Sequence, residues 1–259
     1  MLDEVLIPLA TETEYRRVLR GLVVEQAEAV LREARRAWPV LLADTRVDAL
    51  ETARDWSAGI SAIIDSIRRV TQAAVLRSLP VLYRIYSRVN ESHKKVWDGA
   101  VRQRYGQAPA LPEIWLPPLR EAWLRENTRL VNSLTDDARS VLQGSLTRAL
   151  LARTPMSGLP SIIRDRTTID NNRADLISRD QTSGLASQLN ERRQREFGVN
   201  RYRWRTARDE RVRPTHRFNA EKIFSWDRPP SATGHPGHDV NCRCVAIPIF
   251  PTGRLRVGE

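Results

Sequence analysis

The 259-residue sequence contains two cysteines, four histidines and only three lysines, and it lacks any long apolar run. Cys242 and Cys244 cannot build a disulfide framework, so a reducing compartment is expected. The longest hydrophobic stretches are scraps such as Ile60–Ile64, far short of the ~18 residues that a membrane span requires. The opening Met1-Leu2-Asp3-Glu4 is acidic where a secretory leader is basic. Neither a membrane protein nor a conventionally secreted one is expected. G-x-S-x-G, a P-loop, H-E-x-x-H and G-x-G-x-x-G are all missing, which removes several common signatures of nucleophilic, nucleotide-dependent and zinc-protease chemistry.

What the sequence does have is arginine. Of 42 basic residues, Lys94, Lys95 and Lys222 are the lysines and the other 39 are arginines, against 31 acids. GC-rich coding produces such a bias by itself, so its placement is more informative. Residues 151–259 carry 20 basic and 12 acidic side chains, and ten arginines face three acids between Arg192 and Arg217. That surplus fits a polyanion or an acidic protein surface as partner, and equally a solvated basic face. Hydrophobic residues make up 41% of the chain, enough for a core, and the length suits one large or two modest domains.

Apolar side chains recur near the 3.6 period over Thr13–Trp38, Val47–Val70 and Gln72–Val89, predicting long helices. Pro39 is expected to end the first and Pro80 to kink or split the third. Short connections and few glycines favour an antiparallel bundle. Gln107–Pro112 and Pro117-Pro118 read as a hinge or linker. Helices are expected again over Leu119–Asn132, Asp136–Ala152 and Asp170–Phe197, with Gly198 as the left-handed cap of the last. Beyond it, Tyr202–Thr206, Ile223-Phe224 and Cys244–Phe250 read as strands. The expected architecture is therefore α+β. A mainly α-helical N-terminal region, 1–110, and a helical segment, 111–198, precede a small β-containing C-terminal module, 199–250. The tail, 251–259, is expected to be poorly ordered.

Chemistry concentrates in that module. His216, His235, His238, Cys242 and Cys244 fall within 29 residues, whereas His93 stands apart beside two lysines and reads as a surface residue. Imidazole and thiolate in a loop-rich module with little core suggest structural zinc. The ligands would be His216, one of His235, His238 or Asp239, then Cys242 and Cys244. The plain alternative is two small buried thiols beside a polar turn. Asp209, His216 and His238 also fit a metal-dependent nuclease or toxin-like centre acting on nucleic acid. The same Arg208–His216 run fits a turn held by Asp–Arg pairs. Along Tyr202–Arg205 the alternation sends Tyr202 and Trp204 to one face, expected to enter the core, and arginines to the other, where they can meet phosphate.

The run Trp204-Arg205-Thr206, Asp209–His216, Ile223–Pro230 and Pro236–Cys244 resembles the C-terminal signature of the phage Mu F-like minor head proteins. Trp123–Asn127 and Arg173–Gln181 resemble the helical segment of that family, so the likeness covers about Leu119 to Phe250. It implies a non-enzymatic head morphogenesis protein of a tailed phage or prophage. Such a protein associates with the portal inside the capsid, near packaged double-stranded DNA and the capsid or scaffold proteins. It is made in host cytoplasm and ends in the virion. Arg192, Arg193, Arg195, Arg201, Arg203, Arg205 and Arg208 would then face DNA or the portal, while Trp204, Gly198, Asp209 and Arg213 would be structural. Where many relatives carry Cys-x-x-Cys, this chain has Arg213-Pro214-Thr215-His216, so only His216 stands in for a thiolate. Where they carry a histidine before the C-x-C pair, it has Asp239. This implies a variant site in which Arg213 pairs with Asp209 or Asp239.

Overall fold

A computed structural model describes residues 9–44 and 53–252. The first residues of the second expected helix, 47–52, and the tail beyond Thr252 lie outside the described residues. Within them the elements run α1 (Leu9–Asp44), α2 (Ala53–Tyr105), α3 (Leu116–Leu151), one 3-10 turn, α4 (Leu159–Glu196), β1 (Arg201–Arg205), α5 (Pro214–Asn219), β2 (Ile223–Ser225) and β3 (Val245–Pro248). The α+β expectation holds, but the helices are fewer and longer than the sequence suggested.

Neither proline breaks its helix: α1 runs through Pro39 and α2 through Pro80. Proline removes the N–H that would reach the carbonyl four residues back. Here those carbonyls belong to Arg35 and Leu76, which lie with the prolines on exposed faces, so water can satisfy them. The packed faces on either side, such as Val75 and Leu82 around Pro80, keep the helix going. The break expected at Ser133–Thr135 is absent because Val131, Leu134 and Ala138 carry the buried face of α3 through it, and the Thr135 hydroxyl bonds back to the Asn132 carbonyl at 2.9 Å. At the other end, α4 begins eleven residues before Asp170, and its early Leu159 and Ile163 are buried.

The chain divides into two compact units that do not follow sequence order, because α2, α3 and α4 each contribute to both. One unit comprises residues 15–82 and 125–177. Its core joins Val30, Ala34 and Trp38 of α1, Ile60, Ile63 and Ile67 of α2, Leu142, Leu146 and Leu150 of α3, and Leu159 and Ile163 of α4. The Glu25–Arg77 pair near one end and Leu41 against Gly59 at the other show α1 and α2 running antiparallel. Trp38 donates its indole N–H to the Thr154 carbonyl at 2.9 Å, satisfying its polar atom within the apolar interior.

The other unit comprises residues 1–14, 83–124 and 178–259, of which 9–14, 83–124 and 178–252 are described. Gln107–Pro112 lies inside it in the α2–α3 connection, and Pro117-Pro118 sit in the first turn of α3. The three strands form an antiparallel sheet in the order β2-β1-β3, with Tyr202 opposite both Phe224 and Pro248. The alternation in β1 buries Tyr202 and Trp204 and leaves Arg201 and Arg203 exposed. Tyr202, Trp204, Trp226, Cys242, Cys244 and Ala246 make the module's own core. The C-terminal end of α4 is stitched to this sheet: Asn190 and Gln194 both donate to the Ala246 carbonyl at 2.8 Å, and Trp226 donates to Gln194 at 3.1 Å. Gly198 ends α4 with φ +77°, a left-handed turn that costs glycine little, and the Val199 N–H closes back on the Gln194 carbonyl.

Candidate functional site

Pro214 opens the six-residue helix α5, where its fixed φ suits the first turn, and two residues later His216 points inward. Cys242 and Cys244 lie just before β3, at the end of a loop that starts near His235. Gly237 turns that loop with φ +87° and passes so close to α4 that a Cβ there would lie 2.4 Å from Ser187. The loop is pinned further where Asp180 of α4 accepts the Asn241 N–H at 2.9 Å. The result brings His216, Cys242 and Cys244 together in a buried cluster whose ligating atoms all lie within 4.8 Å of one another.

The hydrogen bonds fix the chemistry of each atom. His216 Nε2 is 2.7 Å from Asp239 Oδ2. A carboxylate only accepts, so Nε2 carries a proton, and Nδ1 faces the sulfurs of Cys244 and Cys242, at 3.4 and 3.5 Å. Cys242 Sγ receives the Cys244 thiol proton and the backbone N–H groups of Gly237 and Cys244, at 3.3 and 3.4 Å. These donors outweigh burial and pull the Cys242 thiol down to about 6. The Cys244 thiol is pushed up, because its proton is committed to that bond and because it is buried.

This donor set fits zinc. Zn–N and Zn–S bonds of about 2.0 and 2.3 Å at a tetrahedral angle place nitrogen and sulfur about 3.5 Å apart, close to the observed separations. Asp239 sits where an orienting carboxylate belongs, behind the imidazole rather than among the ligands. The structure therefore separates the six residues considered for metal. His216, Cys242 and Cys244 come together and Asp239 orients His216, while His238 is half-exposed and approaches Glu191 at 3.8 Å. His235 instead meets the Tyr202 hydroxyl at 2.8 Å. The trio Asp209, His216 and His238 is not gathered, since Asp209 is engaged by Arg243. That guanidinium holds the Asp209 carboxyl below the usual range. Arg213 donates to the Val240 carbonyl at 2.6 Å and lies 3.7 Å from Asp239.

The arginines separate as well. Arg192, Arg201, Arg203 and Arg208 are exposed, and Arg205 is half-buried at the end of β1. Arg195 reaches Asp227 at 3.1 Å, and Arg203 and Arg208 share Glu221 at 3.5 and 3.2 Å. Arg193 must be removed from the contact face. Its side chain is only 1% exposed and binds Glu113 at 2.6 Å, Asn90 at 2.6 Å and His93 Nδ1 at 2.7 Å. His93 is likewise not a surface residue but 1% exposed. Burial, reinforced by the Arg193 cation, depresses its pKa to about 3, so it stays neutral and accepts from the guanidinium. Helical periodicity places His93 and Arg193 on faces, but cannot show that α2 and α4 turn those faces toward each other.

Sequence reasoning also missed a cavity of about 270 Å³ over the cluster, lined by His216, Cys242, Arg179, Arg211, Arg213 and Arg243 among others. Its walls come from α4, the β1–α5 loop and the C-x-C loop, and no linear motif joins them.

Comparison with known proteins agrees with the resemblance seen in the sequence. Residues 140–247 match the family model described as Phage Mu protein F like protein. A Haemophilus influenzae protein described only as uncharacterized is 37% identical over 124 residues. The aligned part is 48% of this chain and 28% of that relative, so the chain spans less than a third of the longer protein. No solved structure matches. From the end of α3 into β3, this chain is thus similar to the Phage Mu protein F like family, which is a phage head morphogenesis family.

Proposed function

We propose that the protein is a minor head component of a tailed phage or prophage that associates with the portal inside the capsid. Its arginine face then meets packaged double-stranded DNA. The observation that carries the DNA contact is the solvent side of β1, where Arg201 and Arg203 alternate with the buried Tyr202 and Trp204. The exposed Arg192, Arg208 and Arg217 extend the basic character along the chain. Guanidinium groups on an exposed strand face suit backbone phosphates and carry no means of reading base sequence. Capsid or scaffold proteins would be neighbours during assembly in host cytoplasm, and the mature location would be the virion near the portal vertex.

Two measurements test this reading. Quantitative mass spectrometry of purified, DNA-filled particles should find a few copies per particle relative to the major capsid protein. Absence from both mature particles and assembly intermediates would overturn the capsid assignment. Duplex DNA binding should weaken linearly in log K against log salt, by about 0.9 per phosphate contacted. Arg201→Glu with Arg203→Glu should weaken binding to all sequences alike and flatten that slope. An affinity indifferent to salt would remove the phosphate contact.

A further inference from the structure

The trio His216, Cys242 and Cys244 supplies three ligand atoms, and among the described residues no fourth histidine, cysteine or carboxylate joins them. On one side the trio is closed by the module's core: Trp204 stands edge-on to the His216 ring, with centroids 5.5 Å apart, and Cys244 is buried in the same core. On the other side His216 and Cys242 form part of the lining of the 270 Å³ cavity, whose remaining walls include Arg179, Arg211, Arg213 and Arg243. Zinc with three protein ligands keeps a fourth position for an exogenous group, whereas structural zinc is closed by four. Through His216 and Cys242 the trio thus adjoins a cavity lined by four arginines, of which Arg213 also donates to the Val240 carbonyl and Arg243 to Asp209.

We infer that this cluster is an open, three-ligand zinc site whose fourth position takes a tetrahedral oxyanion of the phosphate type, clamped by the cavity arginines. On metal binding the two thiols give up their protons, and Zn²⁺ with two thiolates and a neutral imidazole carries no net charge. It therefore gives no strong preference for an anion by itself. The arginines supply that preference, and their planar, multi-donor heads match the oxygens of phosphate. Asp239, bonded to His216 Nε2, fixes the ring so that Nδ1 remains the ligand. This site is independent of portal docking and of the β1 arginine face. The oxyanion has two candidate sources, free inorganic phosphate or a terminal phosphate of nucleic acid.

The test uses the full chain loaded with Co²⁺ in place of Zn²⁺, together with zinc analysis of the protein after dialysis. One metal per chain is expected, with the intense visible absorption of a tetrahedral thiolate site. Inorganic phosphate should shift that spectrum saturably. Arg211→Ala combined with Arg213→Ala should keep the metal stoichiometry and tetrahedral absorption while raising the phosphate midpoint at least tenfold. Cys242→Ser should lose the metal. Should that variant fail to fold, the arginine variant still decides the matter, because its substitutions lie outside the ligand set. A 5′-phosphorylated oligonucleotide that produces the same shift at lower concentration than inorganic phosphate, while its 5′-hydroxyl counterpart does not, would assign the source to nucleic acid. Equal or weaker action would assign it to the free ion. The inference is overturned if the wild-type chain retains no metal, or if the metal-loaded spectrum does not respond to phosphate.

Discussion

Trp204→Ala should speed amide hydrogen exchange in β1 and β3 by a factor of about 10²–10³, equivalent to a loss of about 3–4 kcal/mol. The size of the effect follows from the smallness of the module. Its core is Tyr202, Trp204, Trp226, Cys242, Cys244 and Ala246, with Phe224 half-buried against it. Trp204 is fully buried and meets both His216 and Phe224 edge-on, at centroid separations of 5.5 and 6.0 Å. Strands of three to five residues cannot move far enough to fill the space an indole leaves. The same ring backs His216, so the alanine variant should also hold metal less firmly. Trp204→Phe, which keeps an aromatic wall, should recover a large part of the protection. Acceleration below tenfold in the alanine variant would show that the module does not depend on this core.

The second large effect is on acid stability. His93 Nδ1 meets Arg193 of α4, and Asn90 of α2 and Glu113 of the α2–α3 connection are bound to the same guanidinium. Its folded pKa lies near 3, against about 6.5 in the unfolded chain. Because the native state resists the proton, the stabilising contribution is complete above pH 6.5 and is lost as pH falls toward 3. Between pH 6.5 and 4.5 the loss should reach about 2–3 kcal/mol, at about 1.4 kcal/mol per unit. This window lies above the range where most carboxylates titrate. Urea unfolding of the wild type and of His93→Gln, at both pH values, isolates the contribution. Glutamine can still accept from Arg193 but takes up no proton, so the difference between the two proteins should shrink on acidification. A wild-type pH dependence identical to that of His93→Gln would refute the buried neutral histidine.

These two effects divide along the line between what a linear pattern can express and what it cannot. The β1 alternation, the burial of Tyr202 and Trp204, the turn at Gly198 and the gathering of His216 with the C-x-C pair were readable from residue order. Each depends on neighbours within a strand, at a helix end, or within 29 residues of chain. The likeness of Asp209–His216 and Asn241–Cys244 to the Mu F-like signature was readable for the same reason. Local pattern gave the wrong answer at Pro39, and of the two outcomes expected at Pro80 the split is absent, because packing on the opposite faces outweighs a missing hydrogen bond.

Other outcomes depended on which faces meet. Arg193 and His93 look exposed in sequence because charged residues usually are, yet α2, α4 and the α2–α3 connection bury them as one hydrogen-bonded group. Tertiary packing similarly makes Asp239 the partner of His216 and sends His238 to Glu191. Arg179, Arg211 and Arg243 reach one cavity from separate elements. Residue order thus determined the chemical inventory and the local backbone, since propensity and periodicity act over a few residues. Tertiary structure decided which charges are buried, which histidine meets the thiols and where the site stays open, because those properties arise only when distant segments exclude water together.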